Sequence, residues 1–212
     1  MKNIKLFLSS EGVPRPDLLK KLLDTPNSEV KVALINNAQD PYPPSLSEQR
    51  ENSLVDTFDS LGFQSINVDL REYEGKIEEL SKILKSCKLI WVSGGNVFWL
   101  RYVMKISGFD IIIKNLLLEG IVYGGWSAGA VVAGPSLKAI DLMDDPNIAP
   151  EIIWEGLGLA EFFVWPHWDK EKYLSIQDSA LEKMKLLPYE SIKLRDGEVI
   201  IVEDVDKRIE KK

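Results

Sequence analysis

The stretch Gly120-Ile121-Val122-Tyr123-Gly124-Gly125-Trp126-Ser127-Ala128-Gly129-Ala130-Val131-Val132-Ala133 decides how the rest of the chain is read. Its first part is an apolar run of strand length, and its last part is small-residue sequence able to begin a helix. Between them, Gly125-Trp126-Ser127-Ala128-Gly129 sets a serine between two glycines at a strand-to-helix turn. A turn this sharp exposes one side chain at its apex if small neighbours let the backbone pass. The N–H of the next residue, Ala128, then serves as an oxyanion donor. The competing reading makes Ser127 an ordinary helix-entry residue, and a five-residue motif does not separate the two.

Outward from this turn, apolar runs of strand length alternate with longer amphipathic segments. Strands are predicted at residues 4–8, 30–35, 66–70, 89–92 and 162–165. Helices are predicted at 16–23, 45–61, 76–86, 97–105, 109–118 and 170–186. Several strands are almost wholly apolar, which implies a parallel sheet covered on both faces. The expected fold is α/β: a single doubly wound, mostly parallel sheet of the flavodoxin-like kind, with helices on both faces. A C-terminal β-hairpin is expected from residues 192–194 and 199–202 around Asp196-Gly197, a tight-turn pair. The 212 residues suit one core, and no linker, repeat or low-complexity segment divides them, so residues 1–212 are expected to form one domain. In such sheets function gathers at the carboxyl ends of the strands. Here those ends are Ser9-Ser10, Asn36-Asn37, Gly94-Gly95-Asn96 and the Ser127 turn.

Composition narrows the chemistry. A net charge of −7 with no clustered Lys or Arg face argues against nucleic acid as a partner. The basic tail Lys207-Arg208 and Lys211-Lys212 is interspersed with acids and is expected to be a frayed, solvated end. One cysteine, Cys87, rules out an internal disulfide framework and a Cys-rich metal site; before the run 89–92 it reads as a small buried hydrophobe. The first eight residues resemble a secretory leader only superficially, because their apolar stretch is short and no small-residue cleavage site follows. Lys114 and Glu119 interrupt the longest apolar run, so no membrane span is expected and the chain reads as cytoplasmic.

The single histidine, His167, is the one residue available as a Ser-His base. It follows Ser127 by forty residues, and Asp141, Asp144, Asp145, Glu151, Glu155 and Glu161 lie between them. Serine, acid, histidine is one of several chain orders that yield the same catalytic geometry. The alternative is a satisfied core or loop histidine. With one histidine and no clustered ligands, neither a catalytic zinc site nor any cofactor is expected. Gly94-Gly95-Asn96 follows a buried strand, and its glycines let N–H groups approach a reacting carbonyl. It reads equally as a helix-entry turn with Asn96 as the N-cap. A phosphate loop is disfavoured, because neither the Walker spacing nor a full Gly-x-Gly-x-x-Gly is present.

Three segments, in order, resemble peptidase E and its relatives, serine peptidases on a class I glutamine-amidotransferase-like fold. They are Val92-Ser93-Gly94-Gly95-Asn96-Val97-Phe98-Trp99-Leu100, Gly125-Trp126-Ser127-Ala128-Gly129-Ala130 and Pro166-His167. The resemblance implies Ser127 as nucleophile, His167 as general base, and Gly94, Gly95 and Ala128 as the oxyanion hole. It sets the third triad member on Asp141, one residue short of the family spacing, with Asp144 and Asp145 as rivals. Asp145-Pro146-Asn147 reads more readily as a turn. Asn96 and Trp168 are the expected substrate contacts.

The family cleaves after an N-terminal aspartate and uses an arginine beyond its histidine. The matching segment here, residues 168–174, contains none, only Lys170 and Lys172 as cations. A weak Asp preference, or acceptance of an apolar group beside Trp168 and Tyr173, is therefore expected. The implied activity is serine-type hydrolysis of short peptides near their N-terminus, a dipeptidase-like reaction by a monomer or homodimer. A cyanophycinase-like amide hydrolase and a non-catalytic binding protein on the same fold are the alternatives. The intact Ser127 and His167 speak against the second of these.

Overall fold

The computed structural model describes residues 4–204 and 206–211. Met1, Lys2 and Asn3 of the leader-like stretch, and Lys212 of the basic tail, lie outside the described residues. Among the described residues nine strands form: β1 Lys5–Ser9, β2 Lys31–Ile35, β3 Gln64–Asn67, β4 Leu89–Val92, β5 Val122–Trp126, β6 Phe162–Trp165, β7 Glu190–Lys193, β8 Glu198–Glu203 and β9 Asp206–Lys211. The helices are α1 Pro16–Leu23, α2 Pro44–Ser60, α3 Ile77–Lys85, α4 Val97–Ile106, α5 Phe109–Leu118, α6 Ala128–Val132, α7 Glu171–Leu174 and α8 Gln177–Lys185.

Seven strands make the main sheet, in the order β3-β2-β4-β5-β1-β8-β9. The first five run parallel, and β8 and β9 close the edge antiparallel. This is the 2-1-3-4-5 order of a flavodoxin-like sheet with the chain's first strand taking the fifth place. Apolar side chains on both strand faces explain why the sheet is covered twice. Phe7, Leu34 and Trp91 pack with Leu19 and Leu22 of α1 and Phe58 of α2. Leu6, Leu8, Ile90 and Tyr123 pack with α3, α4, α5 and α6 on the opposite face. Cys87 is buried two residues before β4, among apolar neighbours.

The C-terminal third departs from the sequence expectation in ways that matter for the site. A hairpin is present, but it joins β8 to β9. The basic tail is thus an edge strand and not a frayed end, with Lys211 paired to Glu198 at 3.3 Å. Strand β7 leaves the main sheet and pairs parallel with β6, Trp165 opposite Lys193. Asp196-Gly197 is therefore a turn between two sheets. The predicted helix over 170–186 breaks at Ser175 and Ile176 into α7 and α8. The predicted strand at 66–70 shifts to Gln64–Asn67, because Asp69 caps a 3₁₀ turn through the N–H of Arg71. No helix among the described residues is long and apolar enough to cross a membrane.

Candidate active site

Ser127 sits at the apex between β5 and α6, with φ +49° and ψ −114°. A positive φ is unfavourable for a residue with a Cβ and is tolerated only where the surroundings impose it. They do so here: a Cβ on Gly125 would come within 2.7 Å of the Gly129 backbone, so only glycine lets the strand fold this tightly onto the helix. The Ser127 N–H is held by the carbonyl of Ser9 at 3.1 Å, fixing the turn to the end of β1. His167, at φ +55°, is a second of the five described non-glycine residues with positive φ. It stands two residues beyond the end of β6.

The two side chains meet. His167 Nε2 lies 3.1 Å from Ser127 Oγ. Its other nitrogen, Nδ1, lies 2.6 Å from Oδ1 of Asp196. The parallel β6–β7 pair accounts for this, because neighbouring strands running the same way deliver the residues beyond their ends to one place. The ladder continues past the strands, with the Leu194 N–H on Trp165 O at 2.8 Å and the Trp168 N–H on Leu194 O at 2.9 Å. Tyr173 stacks on the imidazole with ring centroids 6.0 Å apart.

Asp141 is elsewhere. Its carboxylate is paired with Lys183 of α8 at 2.6 Å, and the structure does not bring it to His167. Asp145 forms the turn expected of it, accepting the N–H of Asn147 at 2.9 Å. Asp144 does reach the cavity of Ser127, but its Oδ2 accepts the N–H of Val97 at 2.8 Å.

Asp196 is densely supported. Ser10, fully buried one residue past β1, donates its hydroxyl to Asp196 Oδ1 at 2.8 Å. The same hydroxyl accepts the backbone N–H of His167 at 2.7 Å. Lys170 reaches Asp196 Oδ2 at 2.9 Å and Glu11 at 3.1 Å, so it is no free solvated lysine. Burial opposes ionisation of Asp196, but hydrogen bonds from Lys170, Ser10 and His167 outweigh it and hold the carboxyl below the usual carboxylate range. For His167 the balance runs the other way. Burial lowers its pKa below the ordinary 6.5, and Asp196 only partly offsets this. Burial prevails because His167 is only 6% exposed and the charged form loses its hydration.

Gly94 lies against the nucleophile: a Cβ there would sit 2.9 Å from Ser127 Cβ and 2.7 Å from the Trp126 ring. Its carbonyl accepts the side-chain amide of buried Gln39, which in turn accepts Arg50 Nη1. In a trans peptide the C=O and the following N–H point opposite ways. Pinning the Gly94 carbonyl therefore turns the Gly95 N–H away from Gln39. Gly95 and Ala128 both line the cavity of about 300 Å³ that holds Ser127 and His167. The two proposed substrate contacts are otherwise occupied. Asn96 caps α4, accepting the Trp99 N–H at 2.9 Å and donating to Asp145 O at 3.0 Å. Trp168 packs edge-on to Trp165 at 6.1 Å and under Lys193 at 4.9 Å. Neither lines the cavity, whereas Tyr42, Arg50, Lys172 and Tyr173 do. In the sequence Asp196 stands out only as the acid of an Asp-Gly turn; the pairing of β7 with β6 is what brings it to His167.

Comparison with known proteins bears on the family and the fold. The family model for Peptidase family S51 matches residues 9–210. An uncharacterized peptidase of Listeria innocua is 30% identical over 141 residues, which cover 63% of this chain and 68% of the relative. A peptidase E of a Nostoc species is 35% identical over 92 residues, covering 43% of this chain and 37% of that protein. Among solved structures, that of a candidate peptidase E protein from Listeria monocytogenes superposes with a TM-score of 0.86 at 22% identity, covering 99% of both chains. The family-model match over nearly the whole chain, with its peptidase E relatives, shows that the chain belongs to peptidase family S51 and is a serine-type peptidase of the peptidase E kind.

Proposed function

We propose that the protein hydrolyses short peptides near their N-terminus through Ser127, His167 and Asp196. The observation that carries this reading is the unbroken run of contacts from Ser127 Oγ through both imidazole nitrogens to the Asp196 carboxylate, at 3.1 and 2.6 Å. These separations suit direct proton transfer between nucleophile and base. Ser127 Oγ attacks the scissile carbonyl and gives its proton to His167 Nε2. Asp196 holds the ring with Nδ1 protonated and stabilises the imidazolium. The N–H groups of Gly95 and Ala128 receive the oxyanion, and Gly94 supports the loop behind them. His167 then protonates the leaving amine, the C–N bond breaks, and water hydrolyses the Ser127 ester by the reverse relay.

A weak Asp preference is part of the proposal. Residues 168–174 supply no guanidinium fork. Lys172 lies over the Tyr173 ring at 4.4 Å, and Arg50 is engaged with Gln39 and stacked on Tyr42 at 5.1 Å. A lysine point charge does not replace bidentate recognition of a carboxylate. The test is kcat/KM for Asp-Leu, Asn-Leu and Leu-Leu with wild type and Ser127→Ala. Discrimination for Asp above about a thousandfold, roughly 4 kcal/mol, would overturn the specificity reading. Hydrolysis undiminished in Ser127→Ala would overturn the mechanism.

A further inference from the structure

The cavity that contains Ser127 holds a carboxylate which the hydrolytic relay does not use. Asp144 lines it half-buried, and its Oδ2 accepts the N–H of Val97 at 2.8 Å. Asp141 and Asp196 each have a lysine within 3 Å, but Asp144 forms no ion pair among the described residues. The cations around it are otherwise engaged: Lys170 with Asp196 and Glu11, Arg50 with Gln39, and Lys172 over the Tyr173 ring. Burial pushes the Asp144 carboxyl up to about 6, against the Val97 N–H and the charge of Lys172. A carboxylate in a partly closed site with no cation of its own is costly, and a cationic ligand group docking there removes that cost.

We propose that Asp144 receives the free α-ammonium group of the peptide whose first carbonyl is attacked by Ser127. This rests on the hydrolase reading above and deepens it, since it explains why cleavage would occur at the N-terminus. The ammonium nitrogen and the carbonyl carbon of one residue are both bonded to the same Cα. The anion that holds the first must therefore share a cavity with the nucleophile that attacks the second. Asp144 and Ser127 do so, in about 300 Å³. An internal peptide bond would instead present a neutral amide and its acyl chain to Asp144, losing the charge pair and needing more room. Charge-assisted contacts of this kind are the strong ones.

Calorimetry at pH 7 with the full-length Ser127→Ala protein tests this without turnover. The probes are Ala-Leu, N-acetyl-Ala-Leu and propionyl-leucine, the last being Ala-Leu without its amino group. Ala-Leu should bind at least about tenfold more tightly than either analogue. In Ser127→Ala/Asp144→Asn, which keeps an acceptor for the Val97 N–H, the three should fall within about twofold of one another. Equal affinities in Ser127→Ala, no measurable binding of Ala-Leu, or a preference that survives Asp144→Asn would each overturn the proposal. Propionyl-leucine keeps the test valid even if Asp144→Asn fails to fold, because it needs no variant at that site. Wild-type turnover separates the two readings. Ser127-dependent hydrolysis with no ammonium preference defeats this inference alone. An ammonium preference without Ser127-dependent hydrolysis defeats the hydrolase reading and leaves the ammonium site standing.

Discussion

Asp196 Oδ1 stands 2.6 Å from His167 Nδ1, and the Ser10 hydroxyl donates to that same carboxylate oxygen at 2.8 Å. One buried serine thus steadies both partners, since it also accepts the backbone N–H of His167. Asp196→Asn should therefore lower kcat by roughly 10³–10⁴, as expected when an orienting acid is lost and the histidine tautomer is wrong. Asp141→Asn should leave kcat within about twofold and cost at most about 1 kcal/mol of stability, the range for a partly exposed ion pair. Steady-state kinetics and thermal melts of the two variants check both. The reverse ranking would return the role to Asp141.

Ser127 and His167 should behave as one unit, because the Ser127 hydroxyl lies 3.1 Å from His167 Nε2 and makes no other side-chain hydrogen bond among the described residues. Each alanine variant should lose on the order of 10³–10⁶ in kcat, and the double variant little more. Nearly additive losses in a double-mutant cycle would show that the two act separately.

Activity should rise with pH as His167 loses its proton, with the inflection below the ordinary histidine value of 6.5. The sign follows from burial: the imidazolium loses hydration that Asp196 only partly replaces, so the neutral base persists to lower pH. Asp196, held below the usual carboxylate range, stays ionised through this window. A kcat/KM profile with its acidic limb well above 6.5 contradicts this balance.

Ser10→Ala should reduce kcat by about tenfold with KM little changed, since Ser10 lies behind His167 and Asp196 and does not line the substrate cavity. It also leaves the buried His167 N–H without its acceptor, a loss of about 1–3 kcal/mol in stability. A fall in stability with kcat intact would make Ser10 a structural residue only.

Gln39→Ala should free the Gly94 carbonyl and with it the orientation of the Gly95 N–H. Removing one oxyanion donor typically costs about 10²–10³ in kcat, so a loss of about tenfold or more is expected from disordering it, with KM less affected. Unchanged kcat would mean that the glycine loop holds its shape without Gln39.

The sequence alone determined the alternation of apolar strands with amphipathic helices, the elbow at Ser127, and His167 as the one histidine. These are local or compositional facts: side-chain periodicity, a glycine spacing that only a tight turn uses, and a residue type present once. Which of the 33 acidic residues meets His167 was a different kind of question, because carboxylates are alike in sequence and differ only in where the chain returns. Residues 192–194 are apolar enough to pair with either β8 or β6, and the choice of β6 brings Asp196 to Nδ1 from 29 positions away. Asn96 reads as cap or ligand until α4 begins at Val97 and takes its amide. The direction of the His167 shift was likewise a tertiary matter. Desolvation depends on what surrounds the ring, and Pro166-His167 says nothing of Ser10 and Tyr173 closing around it.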